Sequence, residues 1–319
     1  MALAKQKLRP LLPTLGRGGE EWELFVHSGL ISIVGRPNVG KSSLLNALVG
    51  RKVSIVSHKP QTTRHRIQGV VNRPQGQIVF VDTPGLHQRE TRRLNRAMNE
   101  QAMASFYDVD LIVLVVEAKR WTDEDAAVLR RLEGMSTPVG LVVNKIDRIA
   151  DKAALLPELQ KLATLRDFAF IVPLSALRRS NTAALLDEIF RRLPEGPPLY
   201  PEDQIVGYDD AFLVSEIVRE KLTRNLHQEL PYSLTVGVEQ YERDGKLDRI
   251  DAVIWVEREG QKKIVIGEEG VTLKQVGTSA RRELERLLDR KVFLKLWVRV
   301  RENWSDDLKA LKQFGLSGD

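Results

Sequence analysis

Residues 35–42 read Gly-Arg-Pro-Asn-Val-Gly-Lys-Ser, a glycine-rich pattern that constrains the fold more than any other stretch of the chain. The pattern follows the apolar run 30–34 and precedes the helical pattern 42–49, which Gly50 ends. Glycines allow successive backbone N–H groups to turn inward around an anion, and the helix N-terminus adds its dipole. Because such a loop needs a buried strand before it and a helix after it, the pattern predicts an α/β domain with a phosphate-binding loop.

Short apolar runs recur through the first two thirds of the chain, and each opens into a loop and then a helical pattern. They occupy residues 30–34, 77–82, 110–118, 138–145 and 168–175. Continuous runs of Val, Ile and Leu indicate strands that are buried on both faces. We therefore expect a mostly parallel sheet with helices on both faces. A further run, 66–71, is expected to pair at an edge of this sheet.

Length and composition limit the other possibilities. A chain of 319 residues favours two domains, and a net charge of +6 suits a polyanionic partner, either nucleic acid or an anionic membrane. The absence of cysteine excludes disulfides and thiolate metal sites and is compatible with a reducing cytoplasm. The longest uncharged apolar run, 111–116, has only the length of a strand, so we expect a soluble, cytoplasmic protein.

The pattern changes after residue 193, where the stretch 194–209 is rich in proline and glycine and indicates an interdomain linker. Beyond it come a helix from about 211 to 229, two alternating strands around the hairpin signal 243–246, a helix that ends near 288 and a last strand at 292–300. At the other end of the chain, prolines and charges in residues 1–28 interrupt any signal-peptide core and predict a disordered extension.

The phosphate loop supplies two groups that bind nucleotide phosphates and metal. Lys41 is expected to reach the β- and γ-phosphates, and the Ser42 hydroxyl is a candidate ligand for Mg²⁺. Asp82 and Gly85 belong to Asp-Thr-Pro-Gly, which follows the strand 77–82. We expect the Asp82 carboxylate to hold Mg²⁺ through water and the Gly85 N–H to meet a γ-phosphate.

A second motif distinguishes guanine from adenine. Asn144-Lys145-Ile-Asp147 ends the strand 138–145, and a carboxylate there can accept hydrogen bonds from both N1–H and the 2-amino group of guanine. Adenine has neither donor, so the loss of this bidentate pair costs about 10³-fold in affinity or more. The turn Ser175-Ala176-Leu177 ends the next strand, where backbone N–H groups can contact the guanine O6.

These motifs, in this order at successive strand ends, resemble the Ras-like, translation-factor-related GTPases over residues 30–193. In such proteins a switch threonine completes the Mg²⁺ shell, and Gln61-Thr-Thr-Arg-His65 matches it: Thr63 fits best and Thr62 is the alternative. The histidines His65 and His87 lie in the presumed switch loops, where exposed histidines are more often inert.

The phosphate loop resembles that of one branch of these GTPases in particular. Asn38 within the phosphate loop resembles an asparagine that binds K⁺ in that branch. Leu86 follows Asp-Thr-Pro-Gly where many relatives have the glutamine that orients the attacking water, and leucine cannot do so. The resemblance therefore implies slow, Mg²⁺-dependent, K⁺-stimulated hydrolysis of GTP to GDP, with Lys41, Thr63 and Gly85 as the groups nearest the chemistry. It places guanine-nucleotide contacts at Gly35, Arg36, Pro37, Asn38, Val39, Gly40, Lys41, Ser42, Ser43, Thr63, Asp82, Gly85, Asn144, Lys145, Asp147, Ser175, Ala176 and Leu177. Its Mg²⁺ ligands are Ser42, Thr63 and Asp82.

The second half of the chain carries Gly267-Glu-Glu-Gly270 between an apolar segment and an amphipathic helix. This Gly-x-x-Gly turn, with the helix and two strands before it and the long helix and strand after it, resembles a type II KH domain, an α+β module that clamps single-stranded nucleic acid. Glu268 and Glu269 depart from the common pattern, because two carboxylates repel phosphate. Cationic residues nearby can compensate, and the expected RNA contacts are Lys262, Lys263, Ile266, Gly267, Gly270, Lys274 and Arg281.

Over both domains the chain resembles the Era family. Supporting stretches include 60–67, 216–222, 230–233 and 296–300. The resemblance implies a monomeric GTPase that binds the 3′ end of 16S rRNA, assists assembly of the small (30S) ribosomal subunit and associates peripherally with the inner face of the membrane. The expected domains are a GTPase domain at 29–193, the linker at 194–209, the KH domain at 210–304 and a tail at 305–319. Two alternatives stay open: an RNA-binding scaffold with an idle nucleotide domain, and an ATP-dependent kinase or transferase, which Asn144 and Asp147 disfavour.

Overall fold

The computed structural model describes residues 26–316 except 58, 60, 61, 66, 83–92, 105, 107, 203, 227–229, 231 and 232. Almost all of the predicted extension 1–28 therefore lies outside the described residues. The chain forms two compact units. The first comprises the described residues of 1–51, 66–86 and 102–207, and the second comprises those of 52–65, 87–101 and 208–319.

A mostly parallel sheet forms the centre of the first unit. Its strands, in chain order, are β1 Val26–Val34, β2 Ile67–Arg73, β3 Gly76–Asp82, β4 Leu111–Glu117, β5 Val139–Asn144, β6 Phe170–Pro173 and the short β7 Glu195–Gly196. The spatial order is β2-β3-β1-β4-β5-β6, with β2 antiparallel at the edge and β7 antiparallel to β1. Strands β3, β4 and β5 are buried along their whole length, as strands covered on both faces must be. The predicted α/β fold and the edge position of 66–71 are confirmed.

Helices follow the strands of this sheet. They are α1 Lys41–Val49, α3 Asp123–Arg131, α4 Leu155–Ala163 and α5 Thr182–Phe190, while α2 Arg93–Ala104 lies mostly in the second unit. Helix α1 ends at Gly50, whose φ of 83° is the left-handed conformation that glycine adopts without strain. Phe106, Val128 and Leu162 fill a core with the apolar side chains of β4 and β5.

Residues 195–207, within the stretch predicted as a linker, are bonded to the sheet of the first unit. The amide N–H groups of Leu199 and Tyr200 donate to the buried Gln77 side chain at 2.7 and 2.8 Å. Val206 forms a bridge with Gly69 of the edge strand β2. Such backbone bonds hold an irregular segment in place although it has no periodicity.

The second unit has the order helix, two strands, two helices and strand. Its elements are α6 Asp210–Asn225, β8 Leu234–Asp244, β9 Leu247–Val256, α7 Glu259–Ile266, α8 Val271–Leu288, β10 Lys291–Val300 and the terminal α9 Leu308–Gln313. The sheet order is β10-β9-β8, with β9 parallel to β10 and antiparallel to β8. Val276, Ala280 and Leu284, spaced four apart on α8, are fully buried against α6 and the sheet.

Two earlier segments of the chain belong to this second unit. Ile55 is buried in its main core, and Leu94 and Met98 of α2 are buried in a cluster with Trp304 and Leu311. The stretch 305–316 therefore contributes packed residues to the second unit. Within the residues that the structure describes, no helix combines the length and apolar character that a membrane span needs.

Candidate functional site

The phosphate loop closes between β1 and α1 through three residues with positive φ. These are Gly35 at 149°, Asn38 at 64° and Gly40 at 102°. A Cβ on Gly40 would lie 2.4 Å from the Asn144 amide nitrogen, and one on Gly35 would lie 2.4 Å from the Val115 carbonyl. Both positions therefore require glycine, and the loop between them has the tight turn that surrounds an anion.

Lys41 lies inside this loop. Its ammonium group donates to the carbonyls of Gly35 at 2.8 Å and Arg36 at 3.0 Å, and only 7% of the residue is exposed. Burial lowers the pKa of Lys41 to about 8, against the partly opposing charge of Asp82. A phosphate group would supply the negative charge that this buried cation lacks.

Ser42, at the start of α1, meets Asp82, at the end of β3. The Ser42 hydroxyl donates to the fully buried Asp82 carboxylate at 2.8 Å. A hydroxyl and a carboxylate are hard oxygen donors, which is the ligand chemistry of Mg²⁺, so the residues present fit that ion. Gly85, Leu86 and His87 lie outside the described residues.

Asn144 connects three parts of the nucleotide site. Its side-chain amide donates to the Val39 carbonyl at 2.9 Å and accepts from the N–H groups of Lys145 at 2.7 Å and Ala176 at 3.0 Å. The residue is 2% exposed. Asn144 therefore joins the phosphate loop to the ends of β5 and β6 and acts as a positioning residue.

Asp147 is exposed at the predicted base-recognition edge. The buried Ser175 hydroxyl donates to one of its carboxylate oxygens. The Arg178 N–H in turn donates to that hydroxyl at 3.1 Å, which fixes the Ser175 turn beside Asp147. Leu177 of the same turn is 78% exposed.

The switch-threonine segment belongs to the second unit. Thr63 is 6% exposed, while the hydroxyl of Thr62 is bonded locally, to Ser57 and to the Lys59 carbonyl, both at 2.6 Å. The ring of His65 bonds the Phe314 carbonyl at 3.1 Å. Gln61 lies outside the described residues.

The Gly-x-x-Gly turn joins α7 to α8 with glycine at both sharp positions. A Cβ on Gly267, where φ is 75°, would lie 2.2 Å from the Thr272 hydroxyl, and Gly270 begins α8 at φ 77°. Exposed Ile264 and Val271 flank the turn, at 57% and 63%. The turn therefore offers an accessible backbone between apolar surfaces, which suits close approach of a nucleotide chain.

The predicted RNA-contacting cations surround this turn to different degrees. Lys263 and Lys274 are exposed, Lys262 and Ile266 are half-buried, and Arg281 forms a 3.2 Å ion pair with Glu285 on α8. Glu268 and Glu269 are exposed at the tip of the turn. The local field at the tip is therefore mixed in sign.

Comparison with known proteins bears on both units. Residues 30–145 match the family described as 50S ribosome-binding GTPase, and residues 229–305 match the KH domain family. The chain is 54% identical to GTPase Era of Stenotrophomonas maltophilia strain K279a over 289 residues, which cover 91% of this chain and 97% of that protein. It is equally identical, over 288 residues, to GTPase Era of Xanthomonas oryzae pv. oryzae strain MAFF 311018, with 90% and 96% covered. This chain belongs to the Era family of GTPases.

Solved Era structures have the same fold. A variant of Aquifex aeolicus Era bound to GDP and AlF4⁻ superposes with a TM-score of 0.89 at 38% identity, covering 92% of this chain and 100% of that one. Era in complex with MgGDPNP and nucleotides 1506–1542 of 16S ribosomal RNA gives 0.88 at 38% identity, with the same coverage. The predicted Ras-like domain followed by a KH domain is therefore confirmed.

The Era-family motifs do not reveal two charged contacts that support the phosphate loop. The Arg36 side chain is 6% exposed and forms a 2.9 Å ion pair with the fully buried Asp125, so the backbone of Arg36, and not its guanidinium group, is available to a nucleotide. Asp125 also accepts from the Thr122 N–H at 3.0 Å in the capping box of α3. The pattern Thr-x-x-Asp at 122–125 is the sequence signal for this cap.

Glu117, at the end of β4, is the second unpredicted contact. It forms ion pairs with Lys145 at 2.8 Å, Arg148 at 3.0 Å and Arg36 at 3.5 Å. Burial alone would raise the pKa of Glu117, but Lys145 and the two arginines lower it. The Lys145 ammonium group also donates to the Asn38 carbonyl at 2.6 Å, so Lys145 links the phosphate loop to the Glu117 carboxylate.

Proposed function

We propose that this chain is a GTP-controlled RNA-binding protein that binds the 3′ end of 16S rRNA through its KH domain and assists assembly of the 30S subunit. Membership in the Era family supports this proposal, as does the Era complex with MgGDPNP and a 16S rRNA fragment. The expected limits of the domains, 29–193 for the GTPase domain and 210–304 for the KH domain, remain part of the proposal.

In this proposal the nucleotide is GTP or GDP. Residues 35–43 hold its phosphates with Lys41, and Asp147 accepts from the guanine base beside residues 175–177. Ser42 and Asp82 hold Mg²⁺ together with Thr63, and Asn38 ligates K⁺. When bound, Mg²⁺ neutralises negative charge on the β- and γ-phosphate oxygens, which promotes loss of the γ-phosphate. The Gly85 N–H contacts that phosphate.

The proposed control of RNA binding by GTP rests on one observation: residues 52–65, the segment that contains Thr63, belong to the second unit. Arg64 of this segment is 1% exposed and donates to the Leu234 carbonyl at 2.7 Å, while Arg224 of α6 donates to the Val56 carbonyl at 2.8 Å. A γ-phosphate that orders Thr63 thus acts on a segment bonded to the KH-containing unit. This connection supports a switch in which GTP changes RNA affinity.

RNA binding in defined nucleotide states tests the proposal. Affinity for RNA corresponding to nucleotides 1506–1542 is measured with a non-hydrolysable GTP analogue, with GDP and without nucleotide. We expect the GTP-analogue form to bind most tightly, by about 5-fold to 150-fold. Equal affinity in all three states would exclude control by GTP.

Single-turnover hydrolysis tests the catalytic part. We expect phosphate release to require Mg²⁺, to be faster in K⁺ than in Na⁺ and to be lost in Lys41→Ala. An Asn38→Ala variant that loses only the K⁺ stimulation would support the proposed K⁺ ligand. Release that is independent of the protein would instead support an RNA-binding scaffold.

The cellular part of the proposal is a monomer in the cytoplasm that associates peripherally with the inner face of the membrane. The net charge of +6 is consistent with attraction to anionic lipid. Sedimentation of the protein with phosphatidylglycerol vesicles, compared with neutral vesicles, tests the association. Equal sedimentation with both would contradict an electrostatic attachment.

A further inference from the structure

The strand β10 alternates in burial along its whole length. Val292 is buried, and Leu294, Leu296, Val298 and Val300 pack toward the core formed with α6 and α8. The alternate residues point to the opposite side of the sheet, because successive side chains of a strand point to opposite faces. These residues, which we call the outer β10 face, are Lys291, Phe293, Lys295, Trp297 and Arg299.

The outer β10 face exposes two aromatic rings. Phe293 is 45% exposed and Trp297 is 52% exposed. Cations lie near the rings of this side of the sheet: the Lys295 ammonium group is 5.6 Å from the centre of the Phe293 ring, and Arg299 is 5.8 Å from that of Trp255 on β9. The face is therefore a row in which aromatic and basic side chains alternate.

The outer β10 face carries an excess of positive charge at the edge of the sheet. Arg299 pairs with Glu239 of β8, and Arg249 of β9 lies 3.7 Å from Asp244. In contrast, Lys291 and Lys295 form no ion pair with any described residue, and β10 is the edge strand of the described sheet. The row thus offers positive charge and flat apolar surface together.

We infer that the outer β10 face is a second RNA-binding surface, which takes an unpaired RNA segment adjacent to the one held at the Gly-x-x-Gly turn. Aromatic side chains stack with bases of any sequence, and lysines and arginines between them attract phosphates. Helix α7, which leads into the turn, packs against β10. RNA that leaves the turn can therefore reach the outer face across the open strand edge.

The arrangement favours RNA over a lipid surface. A membrane-binding surface collects apolar side chains on one side and keeps cations at its rim. On β10 a lysine lies between the two aromatic residues on the same face, so no continuous apolar patch forms. The inference rests on the proposed RNA-binding function and adds a second site to it.

The test uses the full chain with two variants of the face. In one, Phe293→Thr and Trp297→Thr are combined, because threonine keeps the strand propensity and removes the rings. In the other, Lys295→Gln removes one cation. Leu156→Thr and Lys161→Gln are matched controls, because both residues are exposed on α4. Urea unfolding verifies that all variants retain their stability.

Affinities are measured for RNA corresponding to nucleotides 1506–1542 and for versions shortened from either end. We expect the double variant to weaken binding of the longest RNA by about tenfold or more, and to leave binding of the shortest RNA that still occupies the turn unchanged. Lys295→Gln should reduce the salt dependence of binding to the longer RNA. The controls should bind as the parent protein does.

Photocrosslinking locates the contact directly. RNA with 5-bromouridine at successive positions is irradiated on the protein, which is then digested with trypsin. We expect adducts on the peptides 292–295 and 296–299. The inference fails if the double variant binds the RNA as well as the parent protein does and no such adduct forms. In that case the proposed function stands, because the parent protein still binds the RNA.

Failure of the parent protein to bind any of these RNAs would instead contradict the proposed function itself. Binding to phosphatidylglycerol vesicles is measured in parallel. Loss of vesicle binding in the double variant with full retention of RNA binding would assign the face to a membrane and overturn the inference.

Discussion

Lys41, which we propose binds the nucleotide phosphates, destabilises the folded state because its ammonium group is buried. Its buried ammonium group contacts carbonyls, and burial gives it a pKa of about 8 instead of 10.5. This difference corresponds to roughly 3 kcal/mol of destabilisation at neutral pH. We therefore expect Lys41→Met to abolish GTP binding and to raise the free energy of unfolding of the nucleotide-free protein by less than that amount, because methionine cannot make the two carbonyl hydrogen bonds; urea denaturation measures the difference.

The pH dependence gives an independent check on Lys41. Between pH 8 and 10.5 the unfolded state binds more protons at this lysine than the folded state, so the contribution of Lys41 to stability rises with pH. The advantage of Lys41→Met should therefore shrink as the pH rises from 8 toward 10.5. Lys161→Met on the surface should show no such trend, and a constant difference for Lys41→Met would contradict the assigned cause.

Asp147 should determine which base is bound. A carboxylate accepts from the N1–H and 2-amino groups of guanine, whereas an asparagine can donate to the 2-oxo group of xanthine. We expect Asp147→Asn to weaken GTP binding by about 10³-fold and to improve binding of xanthosine triphosphate. Competition against a fluorescent GDP measures both, with Asp167→Asn as the exposed control. Unchanged GTP affinity would contradict a role of Asp147 in base selection.

At the residue level, sequence motifs predict the residues that contact a ligand. They do not predict the residues that hold these ligand-contacting side chains in position. Asp147 lies two positions after Lys145, so one short pattern includes both. The partners of Arg36 are Asp125 and Glu117, more than 80 residues away, and only the folded sheet brings them together. Acidic residues at strand and helix ends are too common for a single sequence to single out these two.

At the scale of elements, apolar runs and turn residues predicted the strands well. The predicted strand 292–300 appears as Lys291–Val300, and 30–34 appears as the longer Val26–Val34, whose first residues pair with β7. Such pairing depends on residue 195, which is distant in sequence. The stretch 195–207 lacks periodicity because its order comes from bonds to Gln77 and β2 rather than from an apolar face of its own.

Helix α6 buries charged residues that the periodicity of apolar residues does not predict. Glu216 is 4% exposed, and Arg219 donates to it with Nε at 2.8 Å and Nη2 at 2.6 Å. Burial alone would raise the pKa of Glu216, but the Arg219 charge and hydrogen bonds hold it well below its usual value. We expect Glu216→Gln to lower the free energy of unfolding by about 3 kcal/mol at pH 7, because it leaves a buried arginine without its charge partner.

The effect of Glu216→Gln should depend on pH. A carboxyl with a lowered pKa stabilises the folded state above its unfolded pKa, near 4.5, and this stabilisation is lost as the pH falls further. The difference between variant and parent should therefore narrow below pH 4.5 in urea titrations. Glu188→Gln removes the partly exposed pairs that Glu188 of α5 forms with Arg191 and Arg192, and it should change stability by less than about 1 kcal/mol. An equal loss in both variants would contradict the importance of burial.

At the scale of the whole molecule, two segments that follow nucleotide-binding motifs in the sequence belong to the KH-containing unit. Residues 52–65 follow α1, and residues 93–101 follow Asp82 and the segment after it; both are packed in the second unit. The sequence predicted switch loops around His65 and His87, which overlap or adjoin these stretches, but could not assign the stretches to a unit, since Ile55, Leu94 and Met98 bury against residues more than 150 positions away. Their packing supports coupling between nucleotide state and RNA binding.

Arg224 allows this coupling to be tested with little damage to either site. Its side chain is half exposed, donates to the Val56 carbonyl at 2.8 Å and pairs with the buried Glu220 at 2.8 Å. Arg224→Gln should weaken the attachment of the segment 52–65 to α6, to which Lys52 and Thr62 are also bonded, while the phosphate loop and the Gly-x-x-Gly turn stay intact. We expect the ratio of RNA affinities in the GTP-analogue and GDP states to fall toward one, with GTP affinity changed less than about threefold.

Arg166→Gln is the matched control, because this arginine donates to the Leu132 carbonyl at 2.9 Å within the first unit. It should leave the affinity ratio at the value of the parent protein. If Arg224→Gln also retains the full ratio, the Arg224 bond to the segment 52–65 does not transmit the nucleotide state. The Arg64 bond to the Leu234 carbonyl and the packing of Leu94 and Met98 against Trp304 are other connections in the described chain, and Met98→Ala would then be expected to reduce the ratio.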